Sequence, residues 1–124
     1  MLKDSFFTVK KVVSSETEAT YRVALNSDHP IFKAHFAGDP VMPGACIAQM
    51  IKELSEDYLS ERFFIGLVKN MKFLKVISPD ENPEVSVQMV YVTQDDGDIS
   101  VSTVIRDGEN VFSKAFLVLK PVIK

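Results

Sequence analysis

The sequence predicts an α+β protein in which a long, curved antiparallel β-sheet wraps around one central α-helix. Three observations predict it. Six stretches carry the β-branched and aromatic content, or the apolar-polar alternation, of strands. One stretch alone, Gly44 to Tyr58, repeats apolar residues at spacings of three and four over several turns. It follows two strands and precedes a meander of four, an order that leaves one helix to be covered by one sheet.

The elements follow in order. Residues 5–13 (Ser-Phe-Phe-Thr-Val-Lys-Lys-Val-Val) and 18–26 (Glu-Ala-Thr-Tyr-Arg-Val-Ala-Leu-Asn) read as a strand pair joined by the polar turn Ser14-Ser15-Glu16-Thr17. A Pro/Gly-rich segment, 28–44, follows. In the helix, Ile47, Ala48, Ile51, Leu54 and Tyr58 share one face. Its first turns are apolar nearly all round, so that end is expected to be deeply buried. Its far end (Lys52, Glu53, Ser55, Glu56, Asp57) is expected to be wet. Strands are then predicted over 63–77, ending at Ser78-Pro79-Asp80, and over 84–94. A hairpin turn follows at Asp95-Asp96-Gly97-Asp98. The last two strands, 99–105 and 111–120, flank Asp107-Gly108-Glu109-Asn110. The strand edges of so small a sheet favour dimerisation.

Composition bounds the rest. A chain of 124 residues is expected to be one domain, 1–124. A chain of this size buries roughly two-thirds of its unfolded surface, enough for one modest core. Hydrophobic residues make up 46% and charged residues 25%, ordinary for a globular protein. A net charge of -3 argues against nucleic acid as a partner, which requires a basic face. The one cysteine, Cys46, has no internal disulfide partner, which fits a reducing compartment. The polar N-terminus does not read as a signal peptide, and no apolar run approaches the ~20 residues of a membrane span. The expected location is the cytoplasm, with no membrane partner.

The most informative segment runs from His29 to Gly44 and directly into the helix. It holds two histidines, three prolines and two glycines. His35-Phe-Ala-Gly-Asp-Pro-Val-Met-Pro-Gly44 resembles the signature of the hotdog-fold 3-hydroxyacyl-(acyl-carrier-protein) dehydratases, His-Phe-Pro-x-x-Pro-x-x-Pro-Gly. Upstream, Asn26 to Phe32 is similar to the family's turn before the catalytic histidine. Downstream, Gly66 to Asp80 is similar to its Gly-…-Phe-…-Pro-Gly-Asp stretch. The resemblance spans nearly the whole chain and implies a hotdog fold.

It also implies a chemistry, the removal of water from a 3-hydroxyacyl thioester in fatty-acid or polyene-type synthesis. Histidine as a residue type titrates near neutrality, so His35 would serve as base. The Gly44 N–H, at a helix N-terminus, would donate to the growing oxyanion. Glycine there lets a thioester approach the backbone. Pro40 and Pro43 stiffen the approach without adding donors. In the family the histidine and a helix carboxylate meet from opposite subunits of a dimer. Here the carboxylate position is Gln49, which has no useful ionisable proton.

Four readings are open. His35 performs both proton transfers while Gln49 positions the hydroxyl. Or the chain pairs with a related subunit that supplies the carboxylate. Or it is a silent acyl-binding subunit. Or the site hydrolyses thioesters, as hotdog thioesterases do. Glu53, one turn beyond Gln49 on the same face, is expected to face solvent rather than to rescue the site.

Other residues have plainer readings. His29 shapes the turn before Pro30. Cys46 reads as a core residue. Phe32, Phe36, Met42, Met50 and Met71 are core or acyl-tunnel lining, and Phe36, Pro43 and Met42 are the substrate-binding candidates. Lys69, Lys72 and Lys75 form a basic cluster, either a dock for an acidic carrier protein or coenzyme A phosphates, or a lysine-protected strand edge. The expected partner is acyl-carrier protein or acyl-coenzyme A, the assembly a homodimer or a heterodimer. The substrate's phosphopantetheine is the only prosthetic group implied. His29 and His35 with Asp28 and Asp39 are a weak metal-ligand set, and no metal site is expected.

Overall fold

A computed structural model describes residues 2–34 and 41–122. Strands β1 (Phe7–Ser14) and β2 (Glu18–Leu25) come first, then a short helix α1 (Pro30–Ala34) and the long helix α2 (Gly44–Leu59). Strands β3 (Phe63–Phe73), β4 (Glu84–Thr93), β5 (Ile99–Asp107) and β6 (Asn110–Pro121) complete the fold. All six form one antiparallel sheet in the order β1-β2-β4-β5-β6-β3. This is the predicted hotdog arrangement: one sheet around one central helix.

Alternation along the strands builds the core. Ala19, Tyr21 and Val23 of β2 stand opposite Met89, Val87 and Val85 of β4. Val101 and Ile105 of β5 and Leu117 and Leu119 of β6 continue the same buried layer. Side chains two apart share a sheet face, so these residues line one side together. Ile47, Met50, Ile51 and Leu54 of α2 are buried in the same cluster.

The wet end predicted for α2 holds for Asp57, which is exposed, and in part for the half-buried Lys52 and Glu56, but is corrected at two residues. Glu53 and Ser55 are 2% and 0% exposed. Polar groups of the sheet reach that half of the helix. Ser55 Oγ bonds the Ile51 carbonyl and lies 2.9 Å from the Tyr91 hydroxyl. The Tyr21 hydroxyl donates to Asp57 at 2.7 Å, the Tyr58 hydroxyl to the Ser15 carbonyl, and the Tyr58 and Tyr91 rings stack. Burial there is by paired polar atoms, which an apolar-periodicity reading does not detect.

Two boundaries also differ. The 63–77 strand stops at Phe73, because Leu74 and Lys75 N–H both turn onto the Phe112 carbonyl. Helix α1 lies within the segment read only as Pro/Gly-rich. Pro30 occupies its first position, where a missing N–H costs nothing, and one turn is too short for periodicity to register. Gly97 and Gly108 take the positive φ values, 94° and 59°, that the two predicted turns require.

β3 is an edge strand that carries two bulges and exposes Phe64, Leu67, Val68 and Phe73. No helix among the described residues is long and apolar enough to cross a membrane.

Candidate active site

The helix start follows from its sequence. Pro43 is the N-cap, extended at φ -67° and ψ 148°, with no side chain bonding the first turn. Its carbonyl takes the N–H groups of both Cys46 and Ile47. The Gly44 and Ala45 N–H groups precede the first bond a helix can make to itself, so they point outward at the positive end of the dipole. Met42 is buried and its N–H donates to the Ile77 carbonyl at 2.8 Å, pinning the approach to the helix against the segment after β3. Pro43 and Gly44 are half-buried.

Gly44 has a second reason to be glycine. A Cβ there would lie 2.8 Å from Phe73 Cζ. The open side of the helix start is therefore covered by the Phe73 ring, which is itself 58% exposed. Sequence reading missed this contact, since nothing local ties residue 73 to residue 44.

Gln49 lies five residues on, about 7.5 Å along the axis. It is half-buried, and its Nε2 donates to Glu53 Oε2 at 2.7 Å. Glu53 does not face solvent as expected. Leu2 N–H reaches its two oxygens at 3.0 and 2.8 Å, and Lys3 N–H reaches Oε1 at 2.8 Å. Burial pushes the Glu53 carboxyl up, but the bonds from Leu2, Gln49 and Lys3 outweigh it and hold the group below the usual carboxylate range. The three donors thus favour the ionised form of Glu53, which is the form that accepts hydrogen bonds and gives none.

The N-terminal turn that caps Glu53 is anchored on its other side. Phe6 stacks on Phe32 at 4.6 Å between centroids and meets the His29 ring edge-on at 5.3 Å. His29 Nδ1 accepts from Ile31 N–H at 3.1 Å, and Asn26 Nδ2 donates to the Ser5 carbonyl. His29 thus shapes the turn. Phe32 and Met50 are core, as is Cys46, whose thiol is pushed up by burial. Met71 packs against the core in part. His35 and Phe36 lie outside the described residues. The structure therefore brings Met42, Pro43, Gly44 and Phe73 together at the helix start, with Gln49 farther along the same helix.

The three lysines are exposed on or just after β3. Lys69 lies over the Phe116 ring at 5.3 Å, and Lys75 bonds Asn110 at 3.0 Å. Lys72 lines a groove of about 420 Å³ with Thr20, Gln88, Ser102, Lys114 and Phe116. Those residues alternate with the core-facing ones, so the groove is on the sheet face away from α2 and does not coincide with the helix start.

Comparison with known proteins agrees with this arrangement. The family model for ApeI-like proteins, described as ApeI dehydratase, matches residues 11–114. The chain belongs to the ApeI-like dehydratase family. It is also similar to the FabZ 3-hydroxyacyl-(acyl-carrier-protein) dehydratase of Lactiplantibacillus plantarum, with 30% identity over 95 residues, covering 71% of this chain and 63% of that enzyme. The FabZ of Levilactobacillus brevis is 30% identical over 105 residues, covering 79% of this chain and 68% of that enzyme. The chain thus spans a little under two-thirds of the first relative and slightly more of the second. Among solved structures, the dehydratase heterocomplex ApeI:P from Xenorhabdus doucetiae superposes with a TM-score of 0.62 at 13% identity, over 88% of this chain and 96% of that one. A putative thioesterase, yhdA of Lactococcus lactis, superposes at 0.64 and 15% identity, over 94% and 91%. At such identities these two speak for the fold alone.

Proposed function

We propose that this ApeI-like chain acts on 3-hydroxyacyl thioesters as a dehydratase, its substrate held on the phosphopantetheine of acyl-carrier protein or coenzyme A. The observation that carries the reading is the helix start. Pro43-Gly44 closes the dehydratase-type motif and opens the helix with N–H groups that have no partner among the described residues, and the motif histidine stands nine residues earlier in the sequence.

The chemistry needs a base, an oxyanion donor and a route for the hydroxyl. His35 takes the C2 proton. The Gly44 N–H stabilises charge growing on the thioester oxygen. The electron pair forms the C2–C3 double bond, the C3–O bond breaks, and the His35 imidazolium returns its proton to the departing hydroxyl, so water leaves and the base is regenerated. Gln49 holds that hydroxyl by hydrogen bonds and transfers no proton. Met42, Pro43 and Phe36 line the acyl approach. The exposed apolar edge of β3 supports association of two chains, in which the histidine of one chain meets helix position 49 of the other.

A second reading rests on Gln49 itself. A subunit without the carboxylate completes its site in a heterodimer with a related chain, and a fold neighbour is a dehydratase heterocomplex. Thioester hydrolysis is the weaker alternative, since only fold likeness supports it. Hydration of a crotonyl or longer 2-enoyl thioester distinguishes these readings. The dehydratase reading predicts turnover by the purified chain and its loss in His35→Ala. No turnover alone, with activity appearing in Gln49→Glu, would replace it with the heterodimer reading.

A further inference from the structure

The reading above leaves Glu53 without a task, although its surroundings are the most specific on the helix. It is 2% exposed. Three donors converge on its two oxygens: Leu2 N–H, Lys3 N–H and the Gln49 amide. The Lys3 ammonium pairs instead with Asp57 at 3.5 Å, and Asp57 also accepts the Tyr21 hydroxyl. The carboxylate is thus bound by backbone N–H groups that cannot rotate away, and its one side-chain partner among the described residues is Gln49.

This geometry decides which way Gln49 faces. A free glutamine amide can turn its oxygen or its nitrogen toward a neighbour. A carboxylate only accepts hydrogen bonds, so the edge that meets Glu53 at 2.7 Å must be the NH2 edge. Gln49 Oε1 and the second N–H are then directed away from Glu53. We propose that Glu53 is a positioning residue: clamped by the N-terminal turn, it fixes the Gln49 amide so that a constant acceptor-donor pair meets the substrate hydroxyl. The inference rests on the reading of position 49 as part of the thioester site. It deepens that reading, because it gives a glutamine in an acid's place a defined orientation and ties that orientation to residues 2 and 3.

A double-mutant cycle on 2-enoyl thioester hydration tests it, using the full chain and Glu53→Gln, Gln49→Ala and the double variant. Glu53→Gln is expected to lower kcat about tenfold with KM changed less than about twofold, since the hydroxyl contact matters most as the C–O bond breaks. In the Gln49→Ala background the same change is expected to alter kcat less than about twofold. An equal factor in both backgrounds would overturn the proposal, because Glu53 would then act without Gln49. The side-chain amide protons of Gln49, identified in NMR spectra by their loss in Gln49→Ala, provide a readout independent of activity and of whether Glu53→Gln folds. In the unaltered protein they are expected to exchange slowly and to shift as a carboxylate titrates below the usual range. Solvent-like exchange with no such shift would overturn the positioning role even if hydration is observed. Slow exchange and the shift without any turnover would keep the pair and reject the dehydratase reading.

Discussion

Replacing Glu53 by alanine is the sharpest test of how the helix is held. The change removes an acceptor for three donors at a 2% exposed site. Each hydrogen bond to a charged group contributes about 1.5–3 kcal/mol. Leu2 and Lys3 are only half-buried, so water recovers part of the loss, and a total near 3 kcal/mol is expected. For a chain of 124 residues the unfolding entropy is about 0.26 kcal/mol/K, so the midpoint should fall by about 11 °C. The loss should depend on pH in a defined direction. The folded carboxyl titrates below its unfolded value, so its stabilisation is present above the ordinary carboxylate range and disappears as pH falls through the lowered folded value. Urea titrations of both proteins near pH 7 and at about pH 3 would show the difference shrinking in acid. A deficit under about 0.5 kcal/mol at neutral pH, or one of the same size at both pH values, would refute the reasoning.

Further outcomes follow from the same packing. Gly44→Ala should cost less than about 1 kcal/mol in denaturation, because the Phe73 ring it strikes is exposed and can swing; Phe73→Ala should remove that cost. Leu54→Ala, at a side chain with 0% exposure between helix and sheet, should cost about 2–5 kcal/mol in the same assay. Cys46 should react with a thiol reagent much more slowly in the native state than in urea, since burial both shields the thiol and raises its pKa. Lysines at Leu67 and Val68 on the β3 edge should lower the sedimenting mass if that edge joins two chains.

The strands and the long helix were legible because each repeats its period over many residues: alternation in Ala19–Val23 or Val85–Met89, threes and fours in Ile47–Leu54. The hidden parts share one cause, contacts between residues far apart in sequence. Glu53 looked like a wet helix residue because its neighbours along α2 are charged; the groups that bury it are N–H groups 51 and 50 residues away. Ser55 was misread in the same way, since Tyr91 that pairs with it is 36 residues on. Gly44 was read for its conformational freedom and for substrate access, while its contact with Phe73 depends on how the end of β3 passes the helix. Of the site, the helix start was legible from Pro43-Gly44, whereas the orientation of Gln49 required the fold.

The central claim is that His35 and the helix start together remove the C2 proton of an acyl thioester. Incubating the protein with a 3-hydroxybutyryl thioester in deuterated water tests it most directly, because exchange at C2 needs the base and the oxyanion donor whether or not water is lost efficiently. The account predicts deuterium at C2 of the recovered thioester, and its absence in His35→Ala. A thioester recovered with its C2 protons intact after incubation with the unaltered protein would contradict it.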